Sequence, residues 1–197
     1  MLFVGLTGGI GAGKSEALAA SERLGAAVLS SDAVVHELLG TPEIKDLLAK
    51  RWGQAAVVDG DVDRAMVAEI VFQQPEELEW LEQTLFPRVG ERIAAWRAGL
   101  EHSEQSPEVA VVEVPLLFEA GIQGVFDATI AVIADEGLRA ERAGGRDHRA
   151  VEGRDARQLT QEEKAARADF VVRNDGSRAE LEQGMAEAMD KLREGSP

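Results

Sequence analysis

Cysteine is absent from this chain of 197 residues. Disulfide bonds and metal sites built from thiolates are therefore excluded. No apolar run approaches the roughly 20 residues that a membrane-spanning helix needs. The chain enters its first apolar segment at Leu2, which leaves no room for a signal peptide. From these absences we expect a soluble cytoplasmic protein that does not bind a membrane.

Basic residues are scarce as well. The chain has 21 lysines and arginines against 36 aspartates and glutamates, a net charge of −15. This charge argues against non-specific binding of nucleic acid, which needs a basic face. The exception is segment 139–157, where six arginines stand against four acidic residues. These arginines either form a solvated helix face with i,i+4 ion pairs or supply positive charge to an anionic ligand, and the local excess favours the ligand.

Hydrophobic residues make up 45% of the chain, which is enough for a core. Five short apolar segments alternate with helical patterns, which predicts an α/β fold with a parallel sheet. These strand candidates are residues 2–6, 26–29, 109–114, 128–133 and 169–173. A helix-rich stretch separates the second strand from the third. In it, Pro75 is predicted to open a helix over 76–86, and Pro87 another that runs toward His102.

The stretch Gly8–Ser15 fits the phosphate-binding loop pattern G-x-x-x-x-G-K-[ST], with Gly8 and Gly13 as its fixed glycines. It follows a predicted strand and precedes a predicted helix, the context in which such a loop binds phosphate. Lys14 is expected to reach the β- and γ-phosphates of a nucleotide, and Ser15 to hold Mg²⁺. The alternative, a glycine-rich turn with a chance lysine, does not account for the flanking elements.

Two carboxylates follow predicted strands at the edge where open α/β sheets bind their ligands. Asp32 could act on an acceptor hydroxyl, or it could cap the helix that follows. Glu113 could help to hold Mg²⁺, or it could be a buried carboxylate satisfied by its neighbours. With the phosphate loop and the arginine-rich segment, the pattern predicts an enzyme that transfers a phosphoryl group by positioning and electrostatics.

Several segments together resemble the dephospho-coenzyme A kinase family over nearly the whole chain. They are Leu6 to Ser15, Leu24-Gly25 with Asp32, Arg64 with Ile70-Val71-Phe72, Val114 to Glu119, Gln158 with Glu163-Lys164, and Ala168 to Asn174. The Pro-Leu-Leu-Phe-Glu and Ala-Asp…Asn segments are more specific than the phosphate loop, which many ATPases share.

The resemblance implies a P-loop NTPase fold, with a five-stranded parallel sheet flanked by helices. It implies a nucleotide-binding core (1–32, 108–138 and 159–197), a helical acceptor-binding insert (33–107) and an arginine-rich lid (139–158). The implied reaction is ATP- and Mg²⁺-dependent phosphorylation of the ribose 3′-hydroxyl of dephospho-CoA, the last step of coenzyme A synthesis. We expect a monomer or weak oligomer without a nucleic-acid partner.

The family also implies roles for individual residues. The catalytic set comprises Asp32 as the base together with Lys14, Arg142 and Arg146. The ATP-binding set comprises Gly8, Gly9, Gly11, Ala12, Gly13, Lys14, Ser15, Glu16 and Asn174. The acceptor-binding set comprises Asp32, Arg64, Pro115, Leu116 and Leu117. Mg²⁺ is assigned to Ser15 and Glu113.

The sequence departs from the family pattern at several points. Glu16 stands where Thr is usual, Ser30 where an Asp is common, and Phe86 where a His precedes Pro87; the lid is also a few residues short. Two other functions fit the motifs: a kinase with another hydroxyl acceptor, and a P-loop switch that reports bound nucleotide to a protein partner. The switch does not explain Asp32 together with an arginine-rich lid.

Overall fold

The computed structural model describes residues 1–144 and 158–195. Within them the chain forms two compact units, which we describe separately. The first unit contains Met1–Ser30 and the chain from Arg97 onward, and the second contains Ser31–Trp96.

The first unit is built on a parallel sheet of five strands. These are β1 (Leu2–Gly8), β2 (Ala27–Ser30), β5 (Val109–Glu113), β6 (Ala128–Ile133) and β7 (Phe170–Arg173). Their order across the sheet is β2-β5-β1-β6-β7. Because β1 pairs in parallel with both β5 and β6, its carboxyl end lies between the carboxyl ends of two neighbours. The predicted five-stranded parallel sheet is confirmed.

Apolar burial explains why these segments form the sheet. All five residues of β5 are buried, and so are those of β1 from Phe3 to Gly8. Near-continuous apolar runs of this kind are typical of parallel strands covered on both faces. The helices of this unit are α1 (Lys14–Arg23), α6 (Glu136–Ala143), α7 (Gln161–Arg167) and α8 (Arg178–Arg193). In α8, Leu181, Met185 and Met189 join the sheet residues in one core, and burial of each such side chain contributes roughly 1.5–3 kcal/mol.

The second unit is mainly helical. It holds α2 (Ser31–Leu39), α3 (Pro42–Trp52), α4 (Arg64–Gln73) and most of α5 (Pro75–Glu101), with a hairpin formed by β3 (Val57–Val58) and β4 (Asp61–Val62). The hairpin turns at Asp59 and Gly60, whose φ angles are 51° and 84°. A two-residue turn with both φ angles positive favours Asp-Gly, because glycine carries no Cβ and aspartate tolerates this region.

The predicted break at Pro87 is wrong, because α5 is one helix of 27 residues that contains this proline. The buried residues Leu85, Val89 and Ile93 show the reason. Their spacing of four keeps one apolar face continuous across the proline. Three such burials, at roughly 1.5–3 kcal/mol each, outweigh the ~3 kcal/mol cost of an interior proline. Neither α5 nor any other helix in the described part of the chain combines the length and the apolarity of a membrane span.

Candidate active site

The phosphate-binding loop joins β1, which ends at Gly8, to α1, which begins at Lys14. Gly11 and Gly13 have φ angles of 76° and 93°, a region in which a Cβ is strained. A Cβ on Gly11 would also lie 2.5 Å from the carbonyl oxygen of Arg139, and one on Gly13 would strike Nδ2 of Asn174. The loop is therefore packed against its neighbours in a shape that these glycines allow.

The loop and the start of α1 present positive groups. Lys14 donates a hydrogen bond from Nζ to the carbonyl oxygen of Gly9 at 3.1 Å, so its ammonium group folds back over the loop. The N-cap residue Gly13 has no side chain with which to cap the first N–H groups of α1. Such N–H groups, at the positive end of a helix dipole, attract phosphate. The arrangement suits the phosphate chain of a nucleotide.

Asn174 fastens this loop to the ends of β6 and β7. Its backbone N–H donates to the carbonyl oxygen of Ile133 at 2.8 Å. Its side-chain Nδ2 donates to the carbonyl oxygen of Ala12 at 2.9 Å, and the residue is only 7% exposed. The structure thus brings Asn174, predicted to bind ATP, into direct contact with the loop residues assigned to the same ligand.

Two arginines of α6 lie at the same edge of the sheet. Arg142 donates from Nη1 to the carbonyl oxygen of Asn174 at 3.1 Å. Arg139 donates from Nε to the carbonyl oxygen of Ile10 at 3.0 Å, and its guanidinium group lies against Gly9. The sequence showed Arg139 only as one of six arginines, because nothing local reveals a contact across 129 residues. Arg146, the second predicted lid arginine, lies outside the described residues.

Glu16 is neutralised by two arginines. Its Oε1 lies 3.2 Å from Nη2 of Arg23, and its Oε2 lies 3.4 Å from Nε of Arg178. The first pair lies within α1, and the second links α1 to the first turn of α8. Both offset the charge that this carboxylate adds beside the phosphate loop. The implied contact of Glu16 with ATP stays a prediction.

The segment after β5 also reaches this edge. Glu113, at the carboxyl end of β5, is 6% exposed and pairs in register with Leu6 of β1 and Ser30 of β2. Beyond it, Pro115 and Leu116 are half-buried, whereas Leu117 is fully buried and packs beside Gly5. Acceptor binding by this segment remains a prediction, and Pro115 and Leu116 are its accessible members.

A buried polar cluster, which we call the Lys164 cluster, adjoins this segment. It consists of Thr7, Pro115, Glu119 and Lys164. Lys164 donates from Nζ to the Pro115 carbonyl oxygen at 2.6 Å and forms an ion pair with Oε1 of Glu119 at 2.8 Å. Sequence comparison with the family singled out Glu119 and Lys164 but gave them no role, because their meeting depends on the tertiary fold.

Two predicted residues belong to the second unit. Asp32 is an exposed residue in the first turn of α2, which begins at Ser31. The helix therefore starts before Asp32, whose carboxylate lies in a first turn where the helix dipole favours negative charge. Arg64 begins α4. The distance from Nη1 of Arg64 to Nδ1 of His36 is 2.8 Å. The roles predicted for Asp32 and Arg64 remain predictions.

The predicted Mg²⁺ ligands suit the ion chemically. Ser15 and Glu113 offer a hydroxyl and a carboxylate, which are the hard oxygen donors that Mg²⁺ prefers. No group of three or more His, Cys, Asp or Glu side chains placed to hold a metal occurs among residues 1–144 and 158–195. Because Mg²⁺ in phosphoryl-transfer sites takes only one or two protein ligands, with phosphates and water completing its shell, this sparse set fits.

These features define a class of protein. A parallel α/β sheet whose central strand runs through a phosphate-binding loop into a helix is a P-loop nucleotide-binding fold. In such sheets ligands bind beyond the carboxyl ends of the strands, which is where Lys14, Asn174 and the α6 arginines converge.

Comparison with known proteins narrows the class. The sequence model of the dephospho-CoA kinase family matches residues 2–180. A dephospho-CoA kinase from Thermobifida fusca is 34% identical over 197 residues, covering 98% of this chain and 96% of the relative. A solved structure from Thermus thermophilus has a TM-score of 0.78 at 34% identity and covers 97% of both chains. A dephospho-CoA kinase structure from Campylobacter jejuni has a TM-score of 0.71 at 25% identity and covers 98% of both. This chain belongs to the dephospho-CoA kinase family, and the predicted resemblance and kinase class are confirmed.

Proposed function

We propose that this kinase transfers the γ-phosphoryl group of ATP to the ribose 3′-hydroxyl of dephospho-CoA, giving coenzyme A and ADP. The observation that carries the proposal is the phosphate-binding loop, held by Asn174 and Arg139, in a chain that matches the family over residues 2–180. The family match supports this reading rather than a nucleotide switch or a kinase with another acceptor.

The loop residues assigned above hold the phosphates of ATP in this proposal. Lys14 and the N–H groups of the first turn of α1 neutralise the β- and γ-phosphates. Asn174 lies near the adenine, and Arg142 and Arg146 stabilise charge on the transferred group. Ser15 and Glu113 hold Mg²⁺. When bound, this ion would supply positive charge that offsets the negative charge developing on the phosphates during transfer.

The acceptor is activated by Asp32 in this proposal. Its position two residues beyond the end of β2 and its match to the family pattern motivate the assignment. As the 3′-oxygen bonds to the γ-phosphorus, the bond from that phosphorus to the β-phosphate oxygen breaks. Asp32 takes the hydroxyl proton and ADP leaves. We assign acceptor binding to the insert 33–107, including Arg64, and to Pro115, Leu116 and Leu117, of which Pro115 and Leu116 are half-buried and accessible.

We assign the lid to residues 139–158. Residues 145–157 of this segment lie outside the described part of the chain. We further propose a cytoplasmic location, because the reaction consumes ATP. A monomeric or weakly oligomeric state stays a prediction.

The assignment of Asp32 is tested by Asp32→Asn. The variant should bind ATP with unchanged affinity and lose turnover by roughly 10²- to 10⁴-fold, the range for a general base. Glu22→Gln is the control, because Glu22 is an exposed carboxylate of α1 outside the acceptor-binding insert and the ATP-binding set; it should keep native turnover. Native turnover in Asp32→Asn would refute the assignment.

The site of phosphorylation is tested separately with 3′-deoxy-dephospho-CoA. Because this analogue lacks the proposed nucleophile, it should bind as a competitor of dephospho-CoA without becoming phosphorylated. A phosphorylated product from the analogue would place the reaction on another hydroxyl.

A further inference from the structure

Lys164 is the feature of this unit that the proposed mechanism does not use. Its side chain has no exposed surface, and it lies in the middle of α7. The three partners of its ammonium group are the Pro115 carbonyl oxygen at 2.6 Å, Oε1 of Glu119 at 2.8 Å and Oγ1 of Thr7 at 3.5 Å. Thr7 in turn donates to the same Pro115 carbonyl oxygen at 3.2 Å. The ammonium group, hydroxyl and carbonyl thus form a closed ring.

Burying the Lys164 ammonium group in this cluster costs desolvation free energy. Burial lowers the pKa of Lys164 below its usual value, and Glu119 acts in the opposite direction. Ion pairs of this kind often stabilise a fold no better than apolar residues of the same volume. Among the described residues, Oε2 of Glu119 has no hydrogen-bond donor. A contribution to stability therefore explains the Lys164 cluster poorly. The positions of the partners of Lys164 within the site explain it better.

Each partner belongs to a different part of the site. Thr7 directly precedes Gly8, the first residue of the phosphate-binding loop. Pro115 opens the segment assigned to the acceptor. Glu119 uses the same Oε1 to accept a hydrogen bond from the backbone N–H of Leu159 at 2.8 Å, and Leu159 directly follows the segment assigned to the lid. The ammonium group of Lys164 therefore links the end of β1, just before the phosphate loop, to the acceptor segment, and Glu119 extends the contact to Leu159.

We propose that Lys164 is a positioning residue that fixes the acceptor segment relative to the phosphate-binding loop. This inference rests on the proposed function. Lys164 does not touch the reacting atoms in this proposal; it acts through the backbone of Pro115 and the hydroxyl of Thr7. Its loss should therefore impair transfer to the acceptor more than binding of ATP, because a displacement of about 1 Å in a reacting pair can cost roughly 10²-fold in rate.

The main test is the double variant Lys164→Met/Glu119→Gln, which removes both charges and leaves an oxygen to accept from Leu159. We expect kcat with dephospho-CoA to fall by roughly 10- to 100-fold. The Kd for ATP and the slow hydrolysis of ATP without acceptor should stay within about threefold, since the phosphate loop keeps its own contacts. The control is Lys191→Met, which removes an exposed lysine of α8 and should change none of these values.

A smaller perturbation covers the case in which the double variant does not fold. Thr7→Val keeps the shape of a fully buried side chain and removes the hydroxyl that accepts from Lys164 and donates to the Pro115 carbonyl oxygen. It should lower kcat several-fold, and Thr7→Ser, which retains the hydroxyl, should restore it.

The outcomes separate the two proposals. A folded double variant with lower thermal stability and native kcat would make the Lys164 cluster a structural brace and overturn the inference. Native kcat in Thr7→Val would overturn it as well. Failure of the native enzyme to phosphorylate dephospho-CoA would instead refute the proposed function. An equal loss of ATP binding and turnover would also count against the inference, because it would show that the phosphate loop itself is disturbed.

Discussion

Replacing Gly13 by alanine tests how the phosphate-binding loop is held. Two costs follow from the structure. The φ angle of 93° places alanine in the left-handed region at a cost of about 1–2 kcal/mol. The added Cβ would also strike Nδ2 of Asn174. Displacing that amide removes its hydrogen bond to Ala12 and leaves a buried donor and acceptor unpaired, at about 1–3 kcal/mol.

Gly25 provides the matched control. Its φ angle of 87° is close to that of Gly13, but a Cβ there would meet no atom within 4 Å. Gly25→Ala therefore carries the backbone strain alone, about 1–2 kcal/mol. The difference between the two variants, measured by equilibrium urea unfolding without ligand, isolates the contact with Asn174 and should be about 1–3 kcal/mol. Only Gly13→Ala should also weaken binding of a fluorescent ATP analogue.

A double-variant cycle completes this test. If the clash with Asn174 is the cause, Asn174→Ala should destabilise the Gly13→Ala background less than it destabilises the native protein. Equal losses of unfolding free energy in Gly13→Ala and Gly25→Ala, or strict additivity in the cycle, would show that the contact with Asn174 does not cause the extra loss.

Two further predictions concern stability. Hydrogen bonds from the backbone N–H of Asp135 and then from the Arg173 side chain hold the pKa of Asp175 below its usual value. The contribution of Asp175 to the free energy of unfolding is therefore complete above the unfolded pKa of about 3.9. It is lost as the pH falls through the lower folded pKa. The difference in Tm between the native protein and Asp175→Asn should therefore shrink between pH 5 and pH 2.5, and a constant difference would contradict the pKa assignment. Pro87→Ala supplies an N–H to the Gln83 carbonyl inside α5, so it should raise the urea midpoint; an unchanged or lower midpoint would show that the helix already compensates for the proline.

The five strands of the parallel sheet were predictable because each is a short apolar run, whereas the two-residue strands β3 and β4 were not predicted. The predicted bounds of β6 agree with the structure, and so does the order of all five strands along the chain. The helical unit was harder to predict. Pro87 is a strong local signal for a helix start, and the apolar face that overrides it is set by tertiary packing around Leu85, Val89 and Ile93.

The phosphate-binding loop was readable from its motif because all its residues are consecutive. The long-range contacts that hold the loop could not be predicted from local sequence alone. Arg139 meets Ile10 across 129 positions, and Lys164 meets Thr7 across 157. Charge counting identified an arginine-rich segment but could not say which arginine lies on the loop. Likewise, a lysine in a polar helix gives no sign that the fold will bury it completely.

The most direct test of the account is ADP production from ATP and Mg²⁺, measured with and without dephospho-CoA, with the mass of the acceptor product determined. Dephospho-CoA should strongly stimulate ADP release, and the product should be heavier than the acceptor by one phosphoryl group. ATP binding without acceptor-stimulated ADP release, or an acceptor of unchanged mass, would contradict it.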